Sequence, residues 1–320
     1  MSKKCIKDKK RPLFHTFWPK NSYNQQIFCT FAGQMLLKVQ DSRLMDLSLP
    51  RVMAIINVSP DSFYNSVYGS QGVKGDRRQE EDSIALLTAV QQALDEGADI
   101  LDVGACSTRP GSTPIDVVTE KKRLQWALQT IRASFPDVVI SVDTFRAEVA
   151  EMAIGLGADI INDVSGGEAD ERMWDVVAKH DVPYILTLAQ ELRKGGEKEG
   201  YDYTMSEVLR FFEERLDQLH RMGVKDVVLD PGFGFGKTLE DNYTILREME
   251  VLKVLHAPVL VGVSRKSMLY KPLGLEPKDV LPATIAAQVM ALERGANILR
   301  VHDVVAAKQA IQIVQLTHKN

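Results

Sequence analysis

The sequence predicts a single (β/α)8 barrel of the TIM type, with a short N-terminal hairpin cap and a basic N-terminal tail. Three observations carry this. Eight short apolar runs rich in Val and Ile recur along the chain, each is followed by a turn and a longer amphipathic or Ala-rich segment, and 320 residues leave room for one α/β barrel as a single unit. Parallel strands need helical crossovers, and strands buried on both faces read as continuous apolar runs. A doubly wound open sheet would give the same element order; the count of eight and the single-domain length favour closure.

Residues 1–33 form the tail, where Lys3, Lys4, Lys7, Lys9, Lys10 and Arg11 crowd together without a sustained period. A solvated extension is the simplest account of it, a targeting or nucleic-acid arm the alternative. Residues 34–320 form the barrel domain. It opens with QMLLKVQDSRLMDLSLP at 34–50, whose weak alternation suits a hairpin capping a barrel floor. The eight runs follow: MAIINV at 53, DILDVG at 99, VVISVD at 138, DIINDV at 159, PYILTL at 183, VVLDPG at 227, VLVGVS at 259 and ILRVHDV at 298. EGADILDVG, LGADIINDV and RGANILRVHDV form a weak internal repeat, in which a glycine suits the left-handed cap that turns a helix back towards the sheet.

The net charge of −4 offers no excess positive field for a polyanion. Cys5, Cys29 and Cys106 lie far apart, which argues against a disulfide framework and a structural zinc site and fits a reducing compartment. No run approaches the roughly 18 apolar residues that span a bilayer, and the N-terminus lacks the apolar core of a secretory signal. A cytoplasmic protein with no nucleic-acid or membrane partner is expected.

The runs end in polar residues that an apolar strand has no reason to carry: Asn57, Asp102, Asp143, Asn162 with Asp163, Asp230, Ser264 with Arg265 and Lys266, and Arg300 with His302. Each alone could cap a helix or pair two loops. That account weighs most for Asp102, because DVGACSTRPG puts other functional atoms in the loop behind it. Together they converge, since a β/α barrel gathers its strand ends at the catalytic face. Asp143, Asn162 and Asp230 offer mainly acceptors, suited to the N–H edge of a neutral heterocycle. Ser107, Thr108, Arg109, Arg300 and His302 offer donors and charge, suited to phosphate. Lys266 could serve either half.

DPGFGFGKT at 230–238 imitates a phosphate-binding loop but fails by one residue. The glycine required five positions before Gly236 is Pro231, which has no N–H to offer. Its glycines instead suit the close approach of a flat ligand, with Phe233 and Phe235 as walls. The loops NVSPDSFYNSVYG and STRPGSTP are longer than a connection needs, as lids are.

From about residue 45 onward the chain resembles the dihydropteroate synthases of the pterin-binding barrel family. NVSPDSF, GADILDVGACSTRPG, SVDTFRAEVA, INDVSGG, LDPGFGFGK, GVSRKSM and GANILRVHDV carry the likeness in order. The resemblance implies that 4-aminobenzoate displaces diphosphate from 6-hydroxymethyl-7,8-dihydropterin diphosphate, with Mg²⁺ as cofactor and Asn57 as its ligand. It implies that Asp143, Asn162, Asp230 and Lys266 hold the pterin and that Thr108, Arg109, Arg300 and His302 hold the diphosphate. It further implies that Phe63, Pro110, Phe235 and Ser267 form the aminobenzoate pocket. Asp143, Lys266, Arg300 and His302 are the expected catalytic groups, in a homodimer paired through outer helices.

Two positions depart from the family pattern. Leu186-Thr187-Leu188-Ala189-Gln190 stands where a Met-His-Met-x-Gly run is usual, and Cys106 where Glu is common. Leu188 can replace a methionine wall; Thr187 cannot replace an imidazole. A non-catalytic pterin-binding protein and a pterin-dependent methyltransferase are the alternatives, and the intact diphosphate-side residues favour the synthase. Arg300→Ala is expected to damage diphosphate handling far more than pterin recognition, because the two sets of contacts come from different strand ends.

Overall fold

The computed structural model describes residues 35–39, 43–58, 75–105, 115–189 and 204–318. The basic tail lies outside them. The chain opens with an antiparallel hairpin, β1 (Leu36–Val39) and β2 (Arg43–Asp46), as the alternation at 34–50 predicts. Eight parallel strands follow: β3 (Arg51–Asn57), β4 (Ile100–Gly104), β5 (Ile140–Asp143), β6 (Ile160–Asp163), β7 (Tyr184–Thr187), β8 (Val227–Asp230), β9 (Leu260–Val261) and β10 (Ile298–Val301). Each lies within or across one of the eight predicted runs.

The strands are ordered 8-7-6-5-4-3-10-9, and a parallel bridge between Leu229 and Val259 joins the two outer members. The sheet therefore closes on itself as a TIM barrel. Helices α1 (Gly75–Asp95), α2 (Val117–Ser134), α3 (Ala147–Gly155), α4 (Met173–His180), α5 (Met205–Arg221), α6 (Leu239–Glu248), α7 (Ser267–Tyr270), α8 (Leu281–Glu293) and α9 (Val304–Thr317) fill the crossovers. The repeat glycines Gly97, Gly157 and Gly295 have φ of 97°, 92° and 99°, each just past a helix end. A side chain there would be strained, so glycine lets the chain turn into the next strand.

Two apolar cores follow from strand alternation. Val52, Leu101, Ile140, Ile161, Leu186, Leu229, Val261 and Leu299 point outward against the helices. Met53, Ile100, Val139, Ile160, Ile185, Val228, Leu260 and Ile298 point inward and pack on Leu37, Val39 and Leu47 of the hairpin segment. The hairpin thus plugs the barrel floor. Each such aliphatic side chain contributes about 1.5–3 kcal/mol when fully buried, so the floor is fixed and the opposite end carries the polar groups.

Candidate active site

The next inward position, two residues beyond each floor residue, changes character. Above the apolar floor lie Ile55, Asp102, Ser141, Asn162, Thr187, Asp230, Gly262 and Arg300. Above these come Asn57, Asp143, Ser264 and His302. One turn of the alternation separates core from site.

Arg300 joins most of the ring. Its Nε donates to Asp102 Oδ2 at 2.6 Å and its Nη2 to Asp143 Oδ2 at 2.9 Å. Asp102 is fully buried and also accepts from Ser141 Oγ at 2.7 Å and from Asn162 Nδ2 at 3.2 Å. One guanidinium thus serves two carboxylates. Burial opposes the charge on Arg300, but Asp102 and Asp143 outweigh it and raise its pKa. Gly104 leaves room for this cluster, since a Cβ there would sit 3.3 Å from Asp143 Cβ.

Asp230 and Lys266 form a second group. Asp230 Oδ1 accepts from Gly232 N at 2.8 Å, and burial pushes its carboxyl up while Lys266 pulls it down. Lys266 Nζ donates to the carbonyl of Phe233 and lies 4.6 Å from the centroid of the Phe235 ring. Burial lowers the Lys266 pKa to about 8, with Asp230 opposing and Arg300 reinforcing the shift.

His302 sits exposed at the rim, where Ser264 Oγ lies 3.0 Å from its Nδ1 and accepts from its backbone N. Asn57, Phe235 and Ser267 are half-buried at the same end.

Several expected residues fall elsewhere. Asp163 faces outward and accepts from Ser165, Gly167 and Tyr184 OH, so it holds the loop after β6. Arg265 adopts φ of 54° and makes a bidentate pair with Asp303 at 2.9 and 2.6 Å, which fixes the turn that presents Lys266. Phe233 is buried in the strand–helix core, so it cannot wall a ligand; its carbonyl, not its ring, meets Lys266. Leu188 also packs in that core, and Thr187 is the residue facing the interior. Phe63, Cys106, Ser107, Thr108, Arg109 and Pro110 lie outside the described residues.

Asp102 is the group the sequence undervalued. The signal was its spacing of two from Ile100, which puts both on the inward face. Arg300 is likewise not confined to a diphosphate half: its bonds to Asp102 and Asp143 couple the two sets of strand ends. Arg300→Ala is therefore expected to disturb Asp143 as well as the diphosphate side.

The loop after β8 is held by Lys237, whose Nζ donates to the carbonyls of Leu188 at 2.6 Å and Gly232 at 2.9 Å. The lysine that imitates a phosphate-binding loop therefore staples backbone. Gly232 has φ of 67°, and a Cβ there would lie 2.1 Å from the Leu188 carbonyl oxygen. We expect Gly232→Ala to lower stability by about 1–3 kcal/mol or more, read as a lower urea midpoint; an unchanged midpoint would show that the loop relaxes freely.

With this geometry in place, the comparisons with known proteins are specific. The pterin binding enzyme family model matches residues 53–302. The chain belongs to the pterin binding enzyme family. The dihydropteroate synthase of Escherichia coli strain K12 is 36% identical over 279 residues, covering 85% of this chain and 93% of that protein. A Xanthomonas albilineans dihydropteroate synthase solved with 4-aminobenzoic acid superposes with a TM-score of 0.77 at 35% identity, covering 90% of this chain and 99% of that one. The enzyme from the same organism in complex with 7,8-dihydropteroate gives a TM-score of 0.74 at 33% identity, covering 89% and 100%. In this pterin binding enzyme the match runs from the third residue of β3 to His302, so it spans every strand of the barrel.

The metal expected of the family can be tested against the donors present. Among the described residues no group of three or more His, Cys, Asp or Glu is arranged to hold an ion. Asn57, at the end of β3, offers one amide oxygen. A single neutral donor suits Mg²⁺ that is bound mainly through phosphate oxygens and water, which is how this ion commonly binds. The residues fit a metal carried with a phosphorylated substrate.

Proposed function

We propose that this chain condenses 6-hydroxymethyl-7,8-dihydropterin diphosphate with 4-aminobenzoate, giving 7,8-dihydropteroate and diphosphate in folate biosynthesis. The observation that carries this is the buried ring of Asp102, Asp143, Asn162 and Asp230 around Arg300 and Lys266, in a barrel of this family. Asp143, Asn162, Asp230 and Lys266 hold the pterin. The placement of Lys266 beside Asp230 and Phe235 supports the heterocycle side for it. Thr108, Arg109, Arg300 and His302 hold the diphosphate, and Phe63, Pro110, Phe235 and Ser267 hold the aminobenzoate.

The aromatic amine nitrogen forms a bond to the exocyclic carbon as the carbon–oxygen bond breaks. Diphosphate leaves with the electron pair, and the nitrogen sheds a proton. Asp143 favours positive charge developing on the ring side, while Arg300 and His302 stabilise negative charge on the leaving group. The amine is already nucleophilic and needs placement more than a base. Bound through Asn57 and the diphosphate, Mg²⁺ would supply further stabilisation of that negative charge.

The reading includes a cytoplasmic homodimer. No described helix is long and apolar enough to cross a membrane, and exposed Met290, Val305, Ile313 and Leu316 on α8 and α9 offer apolar surface for pairing.

Burial pushes the Asp143 carboxyl up to about 7, with Arg300 opposing and Asp102 reinforcing the shift. Ionised Asp143 accepts a ring N–H, and charged Lys266 donates to the ring or its substituents. Pterin affinity should therefore rise as pH climbs through about 7 and fall as Lys266 loses its proton above about 8. Titration calorimetry across this range checks it; a flat profile would mean that neither group meets the ligand. The activity itself is tested by mass spectrometry of the product, where 7,8-dihydropteroate is expected only when both substrates are present. Pterin binding without product would make the chain a non-catalytic pterin-binding protein.

A further inference from the structure

Two polar atoms in the ring, Thr187 Oγ1 and Asn162 Oδ1, have no partner among the described residues. Thr187 is fully buried, and its Oγ1 finds no hydrogen bond among the described residues. Strand alternation fixes where it points. Ile185 belongs to the barrel floor while Tyr184 and Leu186 pack outside, so Thr187 faces the interior one step above the floor. Its register partner on β8 is Asp230. On the other side β6 presents Asn162, whose Oδ1 is also buried without a partner among the described residues.

A valine would fill the same volume without leaving a hydroxyl unpaired, and burying an unpaired hydroxyl is unfavourable. Two such atoms on adjacent strands, both facing the space above the floor, call for a ligand edge that pairs them. A hydroxyl donates and accepts, so it can meet either a ring N–H or a ring nitrogen.

We propose that Thr187 is a specificity-determining contact for the pterin, its hydroxyl pairing with the polar edge of the heterocycle beside Asn162. This rests on the reading of the pocket as a pterin site.

The test compares Thr187→Val and Thr187→Ser with the parent protein, using 6-hydroxymethylpterin in titration calorimetry and urea unfolding without ligand. The valine variant should bind about 10-fold more weakly, the loss expected for one net hydrogen bond, while the serine variant stays close to the parent. Unfolding of the ligand-free valine variant should need as much urea as the parent or more. Parent-like affinity in the valine variant would overturn the contact, as would a loss of ligand-free stability with affinity intact. Absence of pterin binding in the parent itself would overturn the pterin reading and this contact with it.

Discussion

Arg300→Ala is expected to abolish measurable diphosphate release and to lower the stability of the ligand-free protein by about 3–5 kcal/mol. The stability loss follows from geometry. The guanidinium is the charged partner of Asp102, which is fully buried, and of Asp143, which is nearly so. Removing it leaves two carboxylates close together without a hydrogen-bonded cation, and one must take up a proton or the barrel must open to water. The turnover loss follows because the same residue aligns Asp143 and stabilises the leaving group. Urea unfolding and a diphosphate assay read the two effects separately. A variant that keeps parent-like stability would show that the pairing contributes nothing net, and retained turnover would remove Arg300 from the mechanism. Asp102→Asn in the Arg300→Ala background should recover part of the lost stability, since it removes one of the two unpaired charges.

Asp143→Asn should act in opposite directions on binding and folding. A hydrogen bond to a charged group is worth about 1.5–3 kcal/mol, so pterin affinity should fall by about 10- to 100-fold. Ligand-free stability should hold or rise, because burial and the neighbouring Asp102 already disfavour the ionised carboxylate. The affinity of the variant should also lose its rise through about pH 7, since the amide does not titrate there. Calorimetry of 6-hydroxymethylpterin across pH measures both. Unchanged affinity would place the heterocycle elsewhere in the barrel.

The barrel was legible because continuous apolar runs, helical crossovers and turn glycines agree with one another. The polar end was legible for the same reason: Ile160-x-Asn162, Val228-x-Asp230 and Ile298-x-Arg300 each pass from floor to site within one alternation. What was not legible was the direction of neighbours in those runs. A strand buried on both faces shows no alternation of its own, so Asn162 and Asp163 read alike, although one faces the interior and the other ties down a loop. Leu188 reads as a ligand wall for the same reason, although it packs outward in the strand–helix core and Thr187 faces the interior. Asp102 was discounted because sequence order put a richer loop behind it, whereas its partners Ser141, Asn162 and Arg300 are distant in sequence and meet only when the sheet closes. Long-range pairing of this kind leaves no local pattern.

The central claim is that this ring of strand ends turns over a pterin diphosphate rather than only binding one. Its most direct test is diphosphate release by the purified protein given 6-hydroxymethyl-7,8-dihydropterin diphosphate, Mg²⁺ and 4-aminobenzoate, with each substrate omitted in turn. Release that requires both substrates is the predicted result. No release despite tight binding of the pterin would contradict it.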